Sequence, residues 1–187
     1  MMYVKGHIIS HLPIFLKEEF GEEGLNEWKS SLSHQAFDIY SYGIDKAESY
    51  PLRIALIEPV NNACVIFYNN CLRGATEFGR YLAHQEKRKE QWVLPFKTSR
   101  ETQVKKACKK LQSHFDTSEV VLKGMDDRGA IIRVCRFSDM DDVIEAVMAG
   151  WIQKNLGYDD RKVHSIEVIN SSNHGKCVEY AVKWNIA

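Results

Sequence analysis

Two histidines near the start of the chain have a spacing that can bind a metal ion. His7 and His11 are four residues apart, so on a helix they share a face, and two imidazoles on one face can chelate zinc. The residues between them are Ile8, Ile9 and Ser10, so the glutamate of a His-Glu-x-x-His motif is missing. The pattern favours a polar edge of the first helix, and we predict no metal site.

The cysteines offer a second kind of chemistry. Cys64 and Cys71 are seven residues apart and face the same side of a predicted helix. Buried thiols pack as small apolar residues, whereas a thiol that faces a pocket is available for redox change or acylation. The five cysteines are odd in number and contain no Cys-x-x-Cys pair, which predicts reduced, mostly buried thiols in a cytoplasmic protein.

A small-molecule pocket is the third candidate. Arg80 near Tyr68 and Tyr81 can orient a carboxylate or phenol through charge-assisted hydrogen bonds; the favoured alternative is that Arg73 and Arg80 pair with surface acids such as Glu77. Large apolar residues of the second half are typical of a core, and they would line any cavity between helix and sheet. The predicted pocket comprises Phe67, Tyr68, Cys71, Arg80, Tyr81, Phe137, Met148, Trp151 and Ile152.

No pattern in the sequence predicts a catalytic site. Gly-x-Gly-x-x-Gly, a Walker-type phosphate loop and a nucleophile elbow are all missing, and no Ser-His-Asp or Cys-His grouping follows from the spacing. We therefore predict that the protein is not an enzyme and has no catalytic residues.

Composition limits the class of partner. Lys plus Arg and Asp plus Glu are equal at 25 each, which argues against general binding to nucleic acid or membranes. No apolar run is long enough to span a bilayer, and the N-terminal residues lack the apolar core of a signal peptide, so we expect a cytoplasmic protein. Basic residues cluster from Lys87 to Lys110 and acidic ones from Glu18 to Glu27; these are either solvated helix faces or docking surfaces.

The periodicity of apolar residues changes near residue 116 and predicts an α+β fold in one domain spanning 1–187. Residues 1–115 read as helices, with breaks at Gly21 and Pro59 and a helix opening at Tyr50-Pro51. Residues 116–187 read as two hairpins joined by an amphipathic helix. This ββαββ order predicts a four-stranded antiparallel sheet with the helix packed across it.

Small residues predict close packing in the helical half. Gly74, Ala75, Gly79 and Ala83 lie near one face of a helix and would let another backbone approach closely. This face and the amphipathic helix 99–115 are also candidate subunit contacts of a homodimer.

The chain resembles a superfamily that groups haem-based nitric-oxide-binding sensor domains, 4-vinyl-reductase-type small-molecule-binding domains and the Golgi-transport TRAPP tethering subunits. It looks like a small bacterial member of this group, and the resemblance spans nearly the whole chain. The segments that carry it are Gly6–Ile9, Leu12–Leu16, Phe20–Leu25 with Trp28, Tyr50–Leu52, Phe67-Tyr68, Leu72–Ala75, Gly79–Tyr81 and Ala149–Ile152.

The resemblance implies a ligand-binding or sensory module. Haem sensors of this superfamily hold the haem propionates with a Tyr-x-Ser-x-Arg motif, which Tyr40-Ser41-Tyr42 does not reproduce. His84 or His34 would be the axial ligand if haem were bound, with His84 preferred, but no cofactor is expected. Zinc-containing relatives carry clustered C-terminal cysteines, whereas only Cys177 lies in that region here.

Three functions follow in order of preference. The first is a non-enzymatic sensory module that binds a small apolar or aromatic molecule between its helices and sheet and signals to a partner protein. The second is a dimerisation or interaction module whose core is filled by its own side chains. The third is a haem-based gas sensor.

Overall fold

The first half of the chain is mainly helical. A computed structural model describes residues 1–90, 99–116, 118–157, 163–170 and 177–184. The elements up to residue 116 are β1 (Tyr3–Lys5), α1 (Gly6–Ile9), α2 (Leu12–Ser30), α3 (His34–Ser41), β2 (Ser49–Pro51), a π-helical turn (Arg53–Ile57) that runs into α4 (Glu58–Phe67), α5 (Arg73–Glu90) and α6 (Arg100–Ser113).

The second half forms an antiparallel sheet with one helix. Its elements are β3 (Glu119–Met125), β4 (Gly129–Cys135), α7 (Asp142–Leu156), β5 (Val163–Asn170) and β6 (Cys177–Trp184). The strand order is β3-β4-β6-β5 and every neighbouring pair is antiparallel. The predicted α+β class and the four-stranded sheet are therefore confirmed.

Local sequence signals explain the boundaries of several elements. Asp141 caps α7, accepting a hydrogen bond from the backbone N–H of Ile144. Asp126 accepts hydrogen bonds from two backbone N–H groups in the turn between β3 and β4. Gly21 interrupts α2 with φ of 72°, a conformation that glycine adopts without a steric penalty. The turn predicted at 173–175 lies outside the described residues.

The helix predicted to open at Tyr50-Pro51 is present but starts one residue later, at Leu52, and carries Ala55 and Leu56. Tyr50 and Pro51 themselves belong to β2, which pairs with β1 so that Tyr3 lies opposite Pro51. The N–H of Leu52 then donates to the carbonyl of Met2, and the helical backbone starts at this residue. Proline has no N–H to donate and a fixed φ, so it suits the end of a short strand as well as the start of a helix.

Two glycines let α5 and α7 touch along their backbones. A Cβ atom at Gly79 would overlap with the carbonyl oxygen of Val147, and one at Gly150 would overlap with the carbonyl oxygen of Thr76. Gly79 of the predicted small-residue face thus allows the close approach predicted from the sequence, and its partner is α7 of the same chain.

The prediction of reduced cysteines is wrong for one pair. Cys135 on β4 lies directly opposite Cys177 on β6 in the antiparallel register, with 4.2 Å between their Cα atoms, and the two form a disulfide. Cys64 and Cys108 are buried free thiols, and Cys71 is an exposed one. The two cysteines are 42 residues apart in the sequence, and it is the register of β4 against β6 that brings them together. Their spacing in the sequence therefore does not reveal the disulfide.

The remaining interior is one apolar core that runs through both halves. It includes Trp28, Phe78, Trp151 and Tyr180, each less than 2% exposed. Val178, Tyr180 and Val182 alternate along β6 toward this core, as their period of two predicts. None of the described helices combines the length and the apolar character needed to cross a membrane.

We expect Gly79→Ala to destabilise the protein by about 3 kcal/mol, because the new methyl group has to push α5 away from α7. Urea unfolding followed by circular dichroism measures the loss. Gly124→Ala is the matched control: nothing lies within 4 Å of its new Cβ, so we expect a change within about 0.5 kcal/mol. Equal stabilities of the two variants would contradict the close packing.

We expect Cys177→Ser to lower the free energy of unfolding by about 4 kcal/mol without reductant, because the disulfide closes a sequence separation of 42 residues. Cys71→Ser, which changes an exposed free thiol, should leave stability nearly unchanged. Thiol titration of the unfolded, unreduced protein should find the three free cysteines. Reaction of all five would show that the disulfide does not form.

Candidate functional site

A cluster of ionisable side chains lies inside the protein where α1, α5, α6 and α7 meet. His7 on α1, Glu86 on α5 and His114 at the end of α6 each place one potential ligand atom within 4.8 Å of the others. Glu86 and His114 are buried, and His7 is half-buried. We call these three residues the His7–Glu86–His114 cluster.

Backbone hydrogen bonds bring the two histidines together across the sequence. The N–H of Lys5 donates to the carbonyl of His114 at 3.0 Å, and the N–H of Asp116 donates to the carbonyl of Tyr3 at 3.1 Å. Strand β1 therefore runs beside the end of α6, and His7 follows immediately after it. The backbone position of His7 is fixed by main-chain pairing.

Gly6, at the start of α1, also helps to position His7. Its N–H donates to the carbonyl of Glu48 at 2.8 Å, and a Cβ atom at this position would overlap with the carbonyl oxygen of Asp45. Only a residue without a side chain fits against this loop. The loop thereby holds the turn of backbone that carries His7.

Glu86 is the centre of the polar contacts. Its Oε1 lies 2.8 Å from Nε2 of His114. Its Oε2 accepts a hydrogen bond from the indole N–H of Trp151 at 2.9 Å and lies 3.4 Å from Nζ of Lys110. The two carboxylate oxygens thus have different surroundings, one facing imidazole and the other held by Trp151 and Lys110.

The pKa of Glu86 reflects these contacts. Burial by itself would raise the pKa of this carboxyl, but the contacts with His114, Lys110 and Trp151 outweigh burial and lower the pKa to about 2. Glu86 is therefore a carboxylate at neutral pH. It is a fixed negative charge inside the fold, which favours a positively charged neighbour.

The imidazole of His114 is a buried polar group that packs against other rings. Its ring meets the Trp151 ring edge to face at 5.3 Å and the His7 ring at 5.9 Å. The residue is 2% exposed. Within the part of the chain that the structure describes, its Nε2 has no partner in regular hydrogen-bond geometry, although Glu86 is close.

The structure divides the predicted pocket residues among separate places. Phe67 and Tyr68 are half-buried against the ring of Phe20, and Cys71 is exposed. Burial raises the pKa of Tyr68 to about 12, so its hydroxyl is neutral at neutral pH. This group forms one patch at the junction of α4 and α5.

The predicted arginine is already paired. Arg80 donates to Glu77 at 2.7 Å and to the side-chain oxygen of Gln153 at 2.6 and 2.9 Å. Tyr81 packs against the rings of Phe15 and His11. The contact with Glu77 agrees with the pairing alternative from the sequence, and Gln153 links Arg80 to α7.

The other predicted pocket residues are core. Phe137, Met148, Trp151 and Ile152 are at most 3% exposed, and Phe137 packs against Phe115. Trp151 alone among them reaches the ionisable cluster, through its hydrogen bond to Glu86. The predicted set is thus not one continuous lining in this conformation.

The structure also separates His7 from His11 and leaves both candidate axial histidines at the surface. Helix α1 ends at Ile9 and α2 begins at Leu12, so His7 and His11 do not share one regular helix face. His84 is an exposed residue of α5. His34 is exposed and pairs with Asp38 at 3.0 Å.

Sequence reasoning missed Glu86 and His114 as partners of His7. One signal was present: Glu86 falls on the apolar stripe of α5 that carries Leu82 and Ala83, and an acid on such a stripe is rarely buried unless it is paired. His114, directly after the end of α6, likewise lies three residues beyond the buried Leu111. The partner of each residue lies on a different helix, which no spacing rule reveals.

Two open depressions on the surface are formed by other residues. One of about 700 Å³ is lined by Lys5, Lys109, Phe115, Asp116 and Arg136 among others. A second of about 490 Å³ includes Arg53, Ile57 and Asp141. Neither contains a residue of the predicted pocket, so neither supports that prediction.

The arrangement of helices and sheet is similar to that of solved proteins. A mutant of the H-NOX protein from K. algicida in the Fe(II) unliganded state matches with a TM-score of 0.71 and 10% identity, covering 97% of each chain. The chain has an H-NOX-type fold. The H-NOX protein from S. oneidensis in the Fe(II)NO state also matches, with a TM-score of 0.71 and 11% identity, covering 97% of this chain and 99% of that one.

Sequence comparisons add no closer relative: no protein-family model and no curated protein matches the chain. The likeness therefore concerns the fold, and it agrees with the resemblance drawn from the sequence. It covers both the helical half and the sheet.

The described interior does not fit a haem. Trp151 and Met148 on α7 and Tyr180 on the sheet are core side chains, each at most 1% exposed. The hydroxyl of Tyr180 donates to the carbonyl of Glu145 at 3.3 Å. The preferred axial candidate, His84, is exposed, and the propionate motif is missing from the sequence.

We expect Trp151→Phe to destabilise the protein more than Trp28→Phe. Both indoles are at most 1% exposed, but Trp151 donates to a carboxylate and Trp28 to the carbonyl of Pro59. Hydrogen bonds to charged groups contribute about 1.5–3 kcal/mol and neutral ones about 1 kcal/mol. Denaturant unfolding measures both losses, and equal losses would argue against a charged Glu86.

Proposed function

We propose that this chain is a non-enzymatic sensory module in which the His7–Glu86–His114 cluster, rather than a haem cavity, is the centre of ligand recognition. The observation that carries the proposal is the contact between Trp151 and Glu86. The indole fills the interior at this point and orients a buried carboxylate toward two imidazoles.

The position of the cluster suits a sensor. Its three side chains come from α1, α5 and α6, and Trp151 adds α7. Any change of charge or occupancy at Glu86 acts on all four elements at once. Because α5 and α7 are in backbone contact at Gly79 and Gly150, they would move as one unit.

The same geometry supports a role without catalysis. Glu86 is already a carboxylate with a low pKa and is held by several partners, which is unfavourable for a general base working near neutral pH. Two of the three free thiols, Cys64 and Cys108, are buried, and burial raises the pKa of each, which makes them weak nucleophiles. A signalling partner protein and a homodimer would complete the sensory role.

A haem-based gas sensor is the second candidate, and the fold likeness favours it. The S. oneidensis relative was solved with Fe(II)NO, and haem distortion was studied in another solved member. For this chain, haem binding would require the side chains around Trp151 and Met148 to move apart and one histidine to turn inward.

The apolar pocket predicted from the sequence is a third proposal. Phe137, Met148 and Ile152 enclose a small apolar or aromatic ligand only if α7 separates from the sheet. In that case a ligand would raise the melting temperature by binding the opened form, since ligands that bind only folded protein stabilise it.

We expect the purified full chain to bind no haem. Titration with haemin, followed by absorption, should show no sharpened Soret band and no endpoint at one haem per chain. The S. oneidensis H-NOX protein, treated in parallel, is the positive control. A saturable one-to-one Soret change in this chain, weakened in His84→Ala, would favour the gas-sensor alternative over our proposal.

A further inference from the structure

We propose that His7, Glu86 and His114 bind one divalent transition-metal ion of the Zn²⁺ type. The inference rests on the proposed function, because it names the ligand class of the same cluster. It departs from the expectation from the sequence that the chain has no metal site. The donor set is two imidazoles and one carboxylate, which is the composition of many three-residue metal centres with an open position.

The distances fit such a centre with small movements. In a tetrahedral site with bonds of about 2.0 Å, neighbouring ligand atoms lie about 3.3 Å apart. His114 Nε2 and Glu86 Oε1 are 2.8 Å apart, and all three candidate ligand atoms lie within 4.8 Å. Rotation of the His7 ring is the main adjustment required, and His7 is the least buried of the three.

The two oxygens of Glu86 have separate roles in this site. Oε1 faces His114 and is the metal ligand. Oε2 is held by the indole N–H of Trp151 at 2.9 Å, which is the kind of outer contact that orients a ligating carboxylate. Trp151 is therefore a positioning residue.

The electrostatics favour a cation. The carboxylate of Glu86 is buried, and the groups around it are all of the kind that attract or donate to an anion: Nε2 of His114 at 2.8 Å, the indole N–H of Trp151 at 2.9 Å and Nζ of Lys110 at 3.4 Å. The Lys110 side chain is 24% exposed, so its ammonium group can move into solvent along its flexible stem when a metal arrives. Nε2 of His114 is buried and lies 2.8 Å from Oε1 of Glu86, outside regular hydrogen-bond geometry, so it can bind the ion beside that oxygen.

Three protein ligands leave one position of a tetrahedral ion for water or a small ligand. The half-buried side of the cluster is at His7, so this position opens there. A small molecule that coordinates the ion would thus contact α1 directly and reach α5 and α7 through Glu86 and Trp151.

The test is titration of the full chain, freed of metal by dialysis against a chelator. Zn²⁺ binding is measured by calorimetry and Co²⁺ binding by visible absorption, which distinguishes tetrahedral from hydrated cobalt. We expect one ion per chain, a higher melting temperature in Zn²⁺ and a tetrahedral cobalt spectrum without thiolate absorption.

Variants assign the ligands. His7→Ala and Glu86→Gln should weaken binding at least tenfold, and Trp151→Phe should weaken it about tenfold while keeping the tetrahedral spectrum. His84→Ala changes an exposed histidine and should bind as the parent chain does. If Glu86→Gln does not fold, His7→Ala carries the test, since its side chain is half-buried.

The proposal is overturned if the parent chain binds no ion, if His7→Ala binds as tightly as the parent, or if His84→Ala alone abolishes binding. Haem titration separates this failure from failure of the proposed function. A chain that binds neither haem nor metal contradicts the metal site only, whereas a chain that binds haem contradicts the proposed function whatever the metal titration shows.

Discussion

The structure depends on the backbone contact between α5 and α7. Gly79 and Gly150 remove the side chains that would hold these helices apart. Trp151 directly follows Gly150 on α7, and its indole reaches Glu86, which lies about two turns beyond Gly79 on α5. At a wider separation the indole N–H could not reach the carboxylate, and a buried charge without partners costs several kcal/mol. The polar cluster is thus a consequence of close packing, and the loop around Gly6 adds His7 to it.

The elements of the fold were predictable because each has a local cause. The alternation along β6, the aspartate cap of α7 and the glycine break in α2 are all present in short stretches of sequence. The helix predicted to open at Tyr50-Pro51 starts one residue later, because these two residues pair with β1. The prediction failed at Cys135 and Cys177, whose pairing depends on the register of β4 against β6.

The candidate site was much less predictable than the fold. His7 was considered as a metal ligand only together with His11, four residues away, and no metal site was predicted. The structure places Glu86 of α5 and His114 at the end of α6 beside His7. The rings and the arginine chosen for a pocket are real features of the interior, yet they are satisfied by one another or by neighbours such as Gln153. Residue type indicates which side chains can bind a ligand or an ion. Which of them lie close together depends on how the helices that carry them cross.

Buried side chains form one apolar core at the centre of this H-NOX-type fold. A fold likeness at 10–11% identity preserves the path of the chain and leaves open what occupies its centre. In this chain the Trp151 indole is buried in the core and donates to Glu86. The path of the backbone is therefore shared with the H-NOX proteins, whereas the contacts at its centre are set by the side chains of this sequence.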